Sequence, residues 1–267
     1  MFPLKTRTLP TNATDLARQL NDSLRELFQL RGDPATMEDA AYPSLARMDV
    51  CLDGAQLQGP PPPVPSVGSQ RSAALSIDSF SAKGSGVAVG PANVDFALEA
   101  TKLELHRAAD RAGNVVLVLH KAADGNIEVS ASPSDIEALI AEVARAEAGK
   151  HGVSIDNVHL ALRSNSPRSL AAEVRLRAKK LFLSTTLRIT GQVDLDEKLN
   201  ANVSGLNCTG DGAIASLACG VLKPHLEKIN GRQFPLMSLP LGEVRLRDVR
   251  ITAGNKLSVN AEFGSAA

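Results

Sequence analysis

SLAAEVRLRAKKLFLSTTLRITGQVDLDEKLNANVSGL, residues Ser169–Leu206, alternates apolar and polar residues almost without a break. Because successive side chains of a strand point to opposite faces, this pattern predicts long antiparallel strands with one apolar and one polar face. A dozen residues at about 3.3 Å each span about 40 Å, whereas an ordinary strand has only about 5–6 residues. We expect such a sheet to wrap around something apolar, which is either the chain's own helices or a ligand.

Two amphipathic helices are predicted before this stretch. The first spans residues 11–31, with Thr11 as its N-cap, and carries leucines on one face. The second begins at Ser132, where a serine cap is followed by Pro133 at the first helical position and by Asp135 at the capping-box position. Its apolar residues recur at helical spacing and end before the glycine at position 149.

A third helix is predicted over residues 211–230, directly after the alternating stretch. Its apolar stripe continues through Pro224, which should kink it because proline removes one backbone hydrogen bond. Further strands are expected on both sides of the helices. They are predicted near Ala46–Leu57, Ala73–Val89, Asn93–His106, Asn114–Lys121, Ile127–Ser130, Val153–Leu162, Gly242–Thr252 and Lys256–Phe263.

The chain is expected to be one domain, residues 1–267, because strands of similar character continue on both sides of its only low-complexity segment. That segment, the proline-rich residues 59–65, is predicted to be a stiff extended loop. In the last strand pair the apolar phase changes between Leu246 and Val249, which predicts a β-bulge near Arg247 and Asp248.

Composition and charge exclude some partners. The chain has no Trp, one Tyr and seven Phe, so the flat aromatic side chains on which nucleic-acid platforms rely are scarce. Its 29 basic and 29 acidic residues cancel, which removes any global attraction to nucleic acid. Basic residues nevertheless predominate from Arg163 to Arg188, so one outer sheet face should be basic. Arg175, Arg177 and Arg188 on that face are either ordinary solvated residues or a contact for an acidic membrane or partner.

The cysteines and the N-terminal residues indicate the cellular compartment in which we expect the protein. We expect Cys51, Cys208 and Cys219 to be small buried residues in a reducing compartment, although Cys208 and Cys219 are placed so that they could meet. The first residues lack the apolar core of a signal peptide, and no segment reaches the roughly 20 apolar residues that cross a bilayer. The expectation is therefore a soluble, cytoplasmic protein.

Motifs for catalysis are missing from the sequence. It has no nucleophile elbow, phosphate-binding loop, dinucleotide fingerprint or histidine pair with metal-ligand spacing. We therefore expect a protein that is not an enzyme and that has no cofactor and no metal site.

The run from Ser130 to Phe263 resembles the bacterial branch of the tubular lipid-binding (TULIP) superfamily. The shared features are the Ser132–Ile140 helix start, the strands over Val153–Leu206, the helix over Ala213–Ile229, and the segment Leu239-Pro-Leu241 before a closing strand pair. The resemblance implies an α+β fold in which a long, highly twisted antiparallel sheet wraps around two to three long helices. It also implies a lipid enclosed between helices and sheet, without catalysis.

From this we predict binding, or transport, of a lipid or another elongated apolar ligand in a channel between helices and sheet. The alternative is a structural or protein-interaction module with a fully closed core and a basic outer face. The ligand-binding candidates are Ile136, Leu139, Ile140, Val143, Leu183, Leu187, Ile189, Val193, Ile214, Leu217 and Val221.

Overall fold

The computed structural model describes residues 1–59, 65–150, 152–180, 183–238 and 244–265. The predicted proline-rich loop and the Leu239-Pro-Leu241 segment lie largely or wholly outside these residues. Helices α1 (Ala13–Leu27), α2 (Pro133–Gly149) and α3 (Gly212–Ile229) fall where the sequence predicts helices. None of the helices in the described part of the chain combines the length and apolar character that crossing a bilayer requires.

The ends of α1 differ from the prediction. Its N-cap is Asn12, not Thr11, and the Asn12 side chain accepts a hydrogen bond from the backbone N–H of Asp15 at 2.8 Å. Asparagine is the stronger capping residue of the two. The helix stops at Leu27 because Phe28 is extended and begins a short strand. The predicted cap of α2 is confirmed, with Ser132 as N-cap and proline in the first turn.

Strands make up most of the fold. Numbered in chain order, they are β1 (Phe2–Pro3), β2 (Phe28–Gln29), β3 (Ala35–Ala41), β4 (Ser44–Cys51), β5 (Gln56–Leu57), β6 (Ser72–Val89), β7 (Ala92–Ala109), β8 (Val115–Lys121), β9 (Asp124–Ala131), β10 (Ser154–Ser166), β11 (Ser169–Lys180), β12 (Leu183–Leu195), β13 (Asn200–Gly210), β14 (Gln233–Pro235), β15 (Arg245–Ala253) and β16 (Leu257–Gly264). The long antiparallel strands predicted over Ser169–Leu206 are confirmed as β11, β12 and β13. The predicted bulge is confirmed as a register shift between Leu246 and Asp248.

Within the described residues the strands form two sheets rather than one. The first sheet has 11 strands, and its main order is β15-β16-β9-β7-β6-β4-β3. The second has five strands in the order β10-β11-β12-β13-β14. Pairing in both sheets is mostly antiparallel, as predicted, but in the first sheet β4 and β5 pair with β6 in parallel. The fold is thus α+β with mixed pairing.

The largest core lies on the first sheet. Helix α1 contributes Leu16, Leu20 and Leu24, which are buried together with Leu45 and Leu105 of the sheet. These leucines recur at helical spacing on α1, so the amphipathic stripe read from the sequence is what covers this part of the sheet.

The two sheets meet at their ends. Leu195 and Leu199, at the β12–β13 turn, pack with Val249 of β15 and Ala261 of β16 in a small apolar cluster. Backbone groups join the same region, because the N–H of Ile251 donates to the carbonyl of Pro167 at 2.7 Å. The inner face of each sheet, defined here as the face that carries this cluster, is therefore turned toward the other sheet at this junction.

Candidate functional site

The inner face of the second sheet is apolar in successive cross-strand rows. Val158, Leu176 and Leu187 stand side by side on β10, β11 and β12, and Leu160, Val174 and Ile189 form the next row. The outward-pointing neighbours of these residues include Arg175, Arg177 and Arg188. The alternation in the sequence is thus expressed as two chemically distinct faces of one sheet.

Helices α2 and α3 lie on this inner face. Ala141 of α2 and Ala215 of α3 are buried with Val158, Leu176 and Leu187 in one apolar cluster. The buried helix residues are alanines, and small side chains allow a helix to approach a sheet closely. This cluster closes one end of the inner face, and the junction with the first sheet closes the other.

The middle of the inner face is less completely covered. Most of its apolar residues are only half-buried, whereas Leu160 and Leu170 in the same rows are buried. We call this set the inner strip; it consists of Leu162, Ala172, Val174, Ile189, Val193, Val203 and Leu206. Val174 and Ile189 of the strip also pack against the cluster beneath α2 and α3, so the helices cover the strip in part. The apolar surface that stays open is what an elongated apolar ligand could cover.

Close packing around Gly191 shapes this strip. A register shift follows Thr190 in the β12–β13 pairing, and Gly205 in the bulge has a φ of 62°, which favours glycine. The bulge brings Leu206 over Gly191, where an added Cβ would lie 2.6 Å from Leu206 Cδ2. The glycine therefore makes room for a leucine from the neighbouring strand.

The ligand-binding candidates on α2 divide into two groups. Ile140 packs against the cluster beneath α2, and Ile136 is half-buried. Leu139 and Val143 are exposed, with 37% and 64% of their surface accessible. The helical stripe read from the sequence is therefore not fully used in packing α2 onto the sheet.

The candidates on the other elements divide similarly. Leu187 is buried in the core, whereas Ile189 and Val193 belong to the inner strip. The side chains of Leu183, Ile214, Leu217 and Val221 lie outside what the structure describes. The candidates that the structure leaves accessible are therefore Leu139 and Val143 on α2 and, partly, Ile136, Ile140, Ile189 and Val193.

The first sheet adds an apolar row that sequence reasoning did not include. Phe96, Val129, Val259 and Ile251 are paired side by side across β7, β9, β16 and β15. They lie on the inner face, because Val129, Val259 and Ile251 are each two residues from a residue of the junction cluster. Val129 and Val259 are exposed. The period of two was visible in each strand, but only the strand order shows that the residues form one row.

Polar side chains of α2 fasten it to the edge strand β10. The backbone N–H of Leu160 donates to Glu137 Oε1 at 2.7 Å, and the Arg145 Nε donates to the carbonyl of Ile155 at 3.2 Å. His159 Nδ1 lies 3.0 Å from the same Glu137 oxygen. Side chains of the helix thus satisfy backbone groups of an edge strand.

The N-terminus of α2 is attached to β7 by Asp135. The Ser132 hydroxyl donates to this carboxylate, and the backbone N–H of Asn93 donates to it at 2.8 Å. These hydrogen bonds, the one from Ser132 first, hold the pKa of Asp135 below its ordinary value.

We expect Asp135→Ala to lower the free energy of unfolding by about 1 kcal/mol at pH 7, because it removes the acceptor for both groups. Since the folded-state pKa is lowered, the ionised group stabilises the fold fully above its unfolded pKa of about 3.9, and this contribution is lost as the pH falls through the folded value. Denaturant unfolding at pH 7 and pH 3 measures the difference, which should shrink in acid. Asp78→Ala, at an exposed carboxylate on β6, is the control; an equal loss there would contradict the assignment.

The cysteines correct one prediction. Cys208 of β13 and Cys219 of α3 form a disulfide, and Cys51 is an exposed free thiol, so the expectation of three buried free thiols is wrong. Cys208 also stands beside Ile189 in a row of the inner face. The bond therefore fixes α3 directly to the sheet that carries the inner strip.

The basic outer face is partly neutralised. Glu173 lies between Arg175 and Arg188. Its Oε1 is 2.6 Å from Arg175 Nε and 3.5 Å from Arg188 Nε. Lys179 is paired with Asp156. Arg177 stands opposite Thr186 and has no acidic partner among the described residues. The outer face is thus basic, but less so than the count of arginines in the sequence suggests.

An open cavity of about 310 Å³ lies beside β6, β7 and β9 of the first sheet, and its lining includes Phe96 of the apolar row. It is lined by residues that include Asp53, Lys83, Asp95 and Glu128, none of them a predicted site residue. The pKa of Asp53 is lowered by the Cys51 thiol and by the Ser85 N–H, and that of Asp95 by Lys256 and by the Gly86 N–H. Both shifts have the same direction, whereas acid–base pairs use carboxylates whose pKa values diverge.

Among the described residues no group of three or more His, Cys, Asp or Glu side chains is arranged to hold a metal ion. Comparison with protein-family models, with curated proteins and with solved structures found no match to this chain. The resemblance to the tubular lipid-binding superfamily stays a prediction.

Proposed function

We propose that this protein binds a lipid or another elongated apolar molecule, without catalysis, between α2, α3 and the inner face of the second sheet. The observation that supports it is that apolar side chains remain accessible on both α2 and the sheet beneath it. Leu139 and Val143 are exposed on α2, and the inner strip is half-buried on the sheet. The long, twisted and wrapping sheet of the tubular lipid-binding superfamily is part of the same proposal.

Burial of an acyl chain supplies enough free energy for such binding. Each methylene removed from water contributes about 0.8 kcal/mol, so ten methylenes contribute about 8 kcal/mol before the cost of restricting the ligand. An aliphatic lining suits this, since acyl chains need no aromatic platform. The disulfide is typical of oxidising surroundings, so we propose an oxidising compartment in preference to the cytoplasm.

Native mass spectrometry of protein purified from cells tests the proposal directly. We expect an added mass that organic extraction removes and that lipid analysis identifies. A clean mass for the unliganded chain, together with no uptake of a long-chain fluorescent fatty acid, would favour the alternative of a closed interaction module.

The double variant Leu139→Gln/Val143→Gln tests the position of the site. Both side chains are exposed, so the fold should tolerate the change, while the apolar wall on α2 is lost. We expect the dissociation constant of the fluorescent fatty acid to rise about tenfold, which corresponds to about 1.4 kcal/mol. Met237→Gln, at a residue of similar exposure outside this site, is the matched control. Unchanged binding by the double variant would place the ligand elsewhere.

A further inference from the structure

A second group of exposed apolar side chains lies where α3 ends. Ile229 is the last residue of α3, Phe234 is in β14, and Met237 is in the 3₁₀ turn that follows, Leu236–Ser238. Their exposed fractions are 42%, 43% and 44%. We call these three residues the terminal patch. Exposed apolar residues scattered singly are normal, but three within nine positions of the chain call for an explanation.

The backbone beneath the terminal patch is held by the second sheet. The Gly231 N–H donates to the Val203 carbonyl at 2.7 Å, and the Val203 N–H donates to the Arg232 carbonyl at 3.1 Å. Phe234 is paired with Ala201, and the Leu236 N–H donates to the Leu199 carbonyl at 3.0 Å. The patch is therefore presented by an ordered edge of the sheet.

Cationic residues lie close to the terminal patch along the chain. Lys228 and Arg232 are exposed and form no ion pair with any described residue. Lys223 forms one, since its Nζ lies 3.9 Å from Glu227 Oε1. Three cations thus stand against one anion over residues 223–237, in a chain whose net charge is zero. Arg232 comes two residues before Phe234, the spacing at which side chains of an extended segment point to the same side.

We propose that the terminal patch docks the protein on an anionic lipid bilayer. Apolar side chains flanked by lysine and arginine match the acyl boundary and the negative headgroups of such a surface. Arg175 and Arg188 on the outer sheet face are less suited, because they share Glu173 and no exposed large apolar residue lies beside them among the side chains of β11 and β12 that the structure describes. The inference rests on the proposed function, to which it adds the surface where an apolar ligand would be taken up or delivered.

Co-sedimentation with vesicles tests this docking. We expect the protein to bind vesicles of equal parts phosphatidylcholine and phosphatidylglycerol, to bind phosphatidylcholine vesicles weakly, and to lose binding as salt is raised. Phe234→Ser/Met237→Ser should weaken partitioning at least tenfold, and so should Lys228→Glu/Arg232→Glu, which leaves the apolar residues in place. All four side chains are exposed, and circular dichroism melting should confirm that both variants fold like the wild type.

Arg175→Glu/Arg188→Glu is the matched control, since it reverses the same number of charges on the outer face. The docking inference is overturned if the wild type ignores anionic vesicles, or if the control loses as much binding as the terminal-patch variants. Fatty-acid binding in solution separates the two proposals, because the Lys228→Glu/Arg232→Glu variant, which changes no apolar residue, should retain it. If the wild type takes up fatty acid but does not bind anionic vesicles, the docking inference alone is wrong. If the wild type takes up no fatty acid, the proposed function is wrong.

Discussion

Replacing Cys208 and Cys219 together by serine is expected to lower the free energy of unfolding by about 3 kcal/mol at 25 °C. The two cysteines are 11 residues apart in the sequence, so the bond closes a short loop and restricts the unfolded chain. In the folded protein the same bond ties α3 to β13. Guanidinium unfolding of the variant, and of the wild type with and without reductant, measures the loss.

Cys51→Ser is the control for this change. Cys51 is exposed and unpaired, and its serine replacement can still donate to Asp53, so stability should change by less than about 0.5 kcal/mol. Alkylation of the unreduced protein should label Cys51 and spare the other two cysteines. Labelling of all three, or equal stability with and without reductant, would show that the bond is not part of the native state.

Gly125→Ala is expected to destabilise the protein by about 2–3 kcal/mol, because the first sheet has no room for a side chain there. A Cβ at this position of β9 would lie 2.3 Å from two ring carbons of Phe263 and 3.0 Å from the Glu99 carbonyl oxygen. Phe263 is buried in the main core, which restricts how far its ring can move. Thermal and denaturant unfolding measure the effect.

Gly254→Ala is the matched control, since nothing lies within 4 Å of a Cβ built there. It should leave stability nearly unchanged. Combining Gly125→Ala with Phe263→Leu should recover part of the loss, because the smaller side chain removes the closest contacts. Additive losses in that double variant would mean that the ring is not the obstacle.

Local patterns in the sequence predicted the local structure well. The alternation over Ser169–Leu206 and the Ser132 cap depend on neighbouring residues only, and the structure confirms both. The same applies to the bulge near Asp248, where the phase of the alternation changes. Each of these features is encoded within a few positions of the chain, so a single sequence contains the information.

Pairing between distant segments was not predictable in the same way. Strand β3 was missed because most of its residues are exposed and it lacks an apolar period, as expected at a sheet edge. The parallel pairing of β4 with β6 and the disulfide both join segments whose proximity depends on the whole fold. Element order alone does not determine such contacts.

The candidate site was predictable in part for the same reason. A helical stripe looks alike in sequence whether it packs fully or remains open, so the exposure of Leu139 and Val143 could not be foreseen beside the packed Ile140. The row formed by Val129 and Val259 required the strand order β16-β9-β7. The residue types along each element correctly predicted its apolar face. They did not predict how much of that face other elements bury.

The fastening of α2 to β10 has a consequence for aggregation. Glu137 and Arg145 occupy backbone groups of an edge strand, and edge strands with free backbone groups pair readily with other chains. If α2 lifted to admit a ligand, β10 would be left as a template for self-association. We therefore expect α2 to stay in place if the proposed ligand is exchanged, and we expect variants that detach α2 to lose solubility on storage.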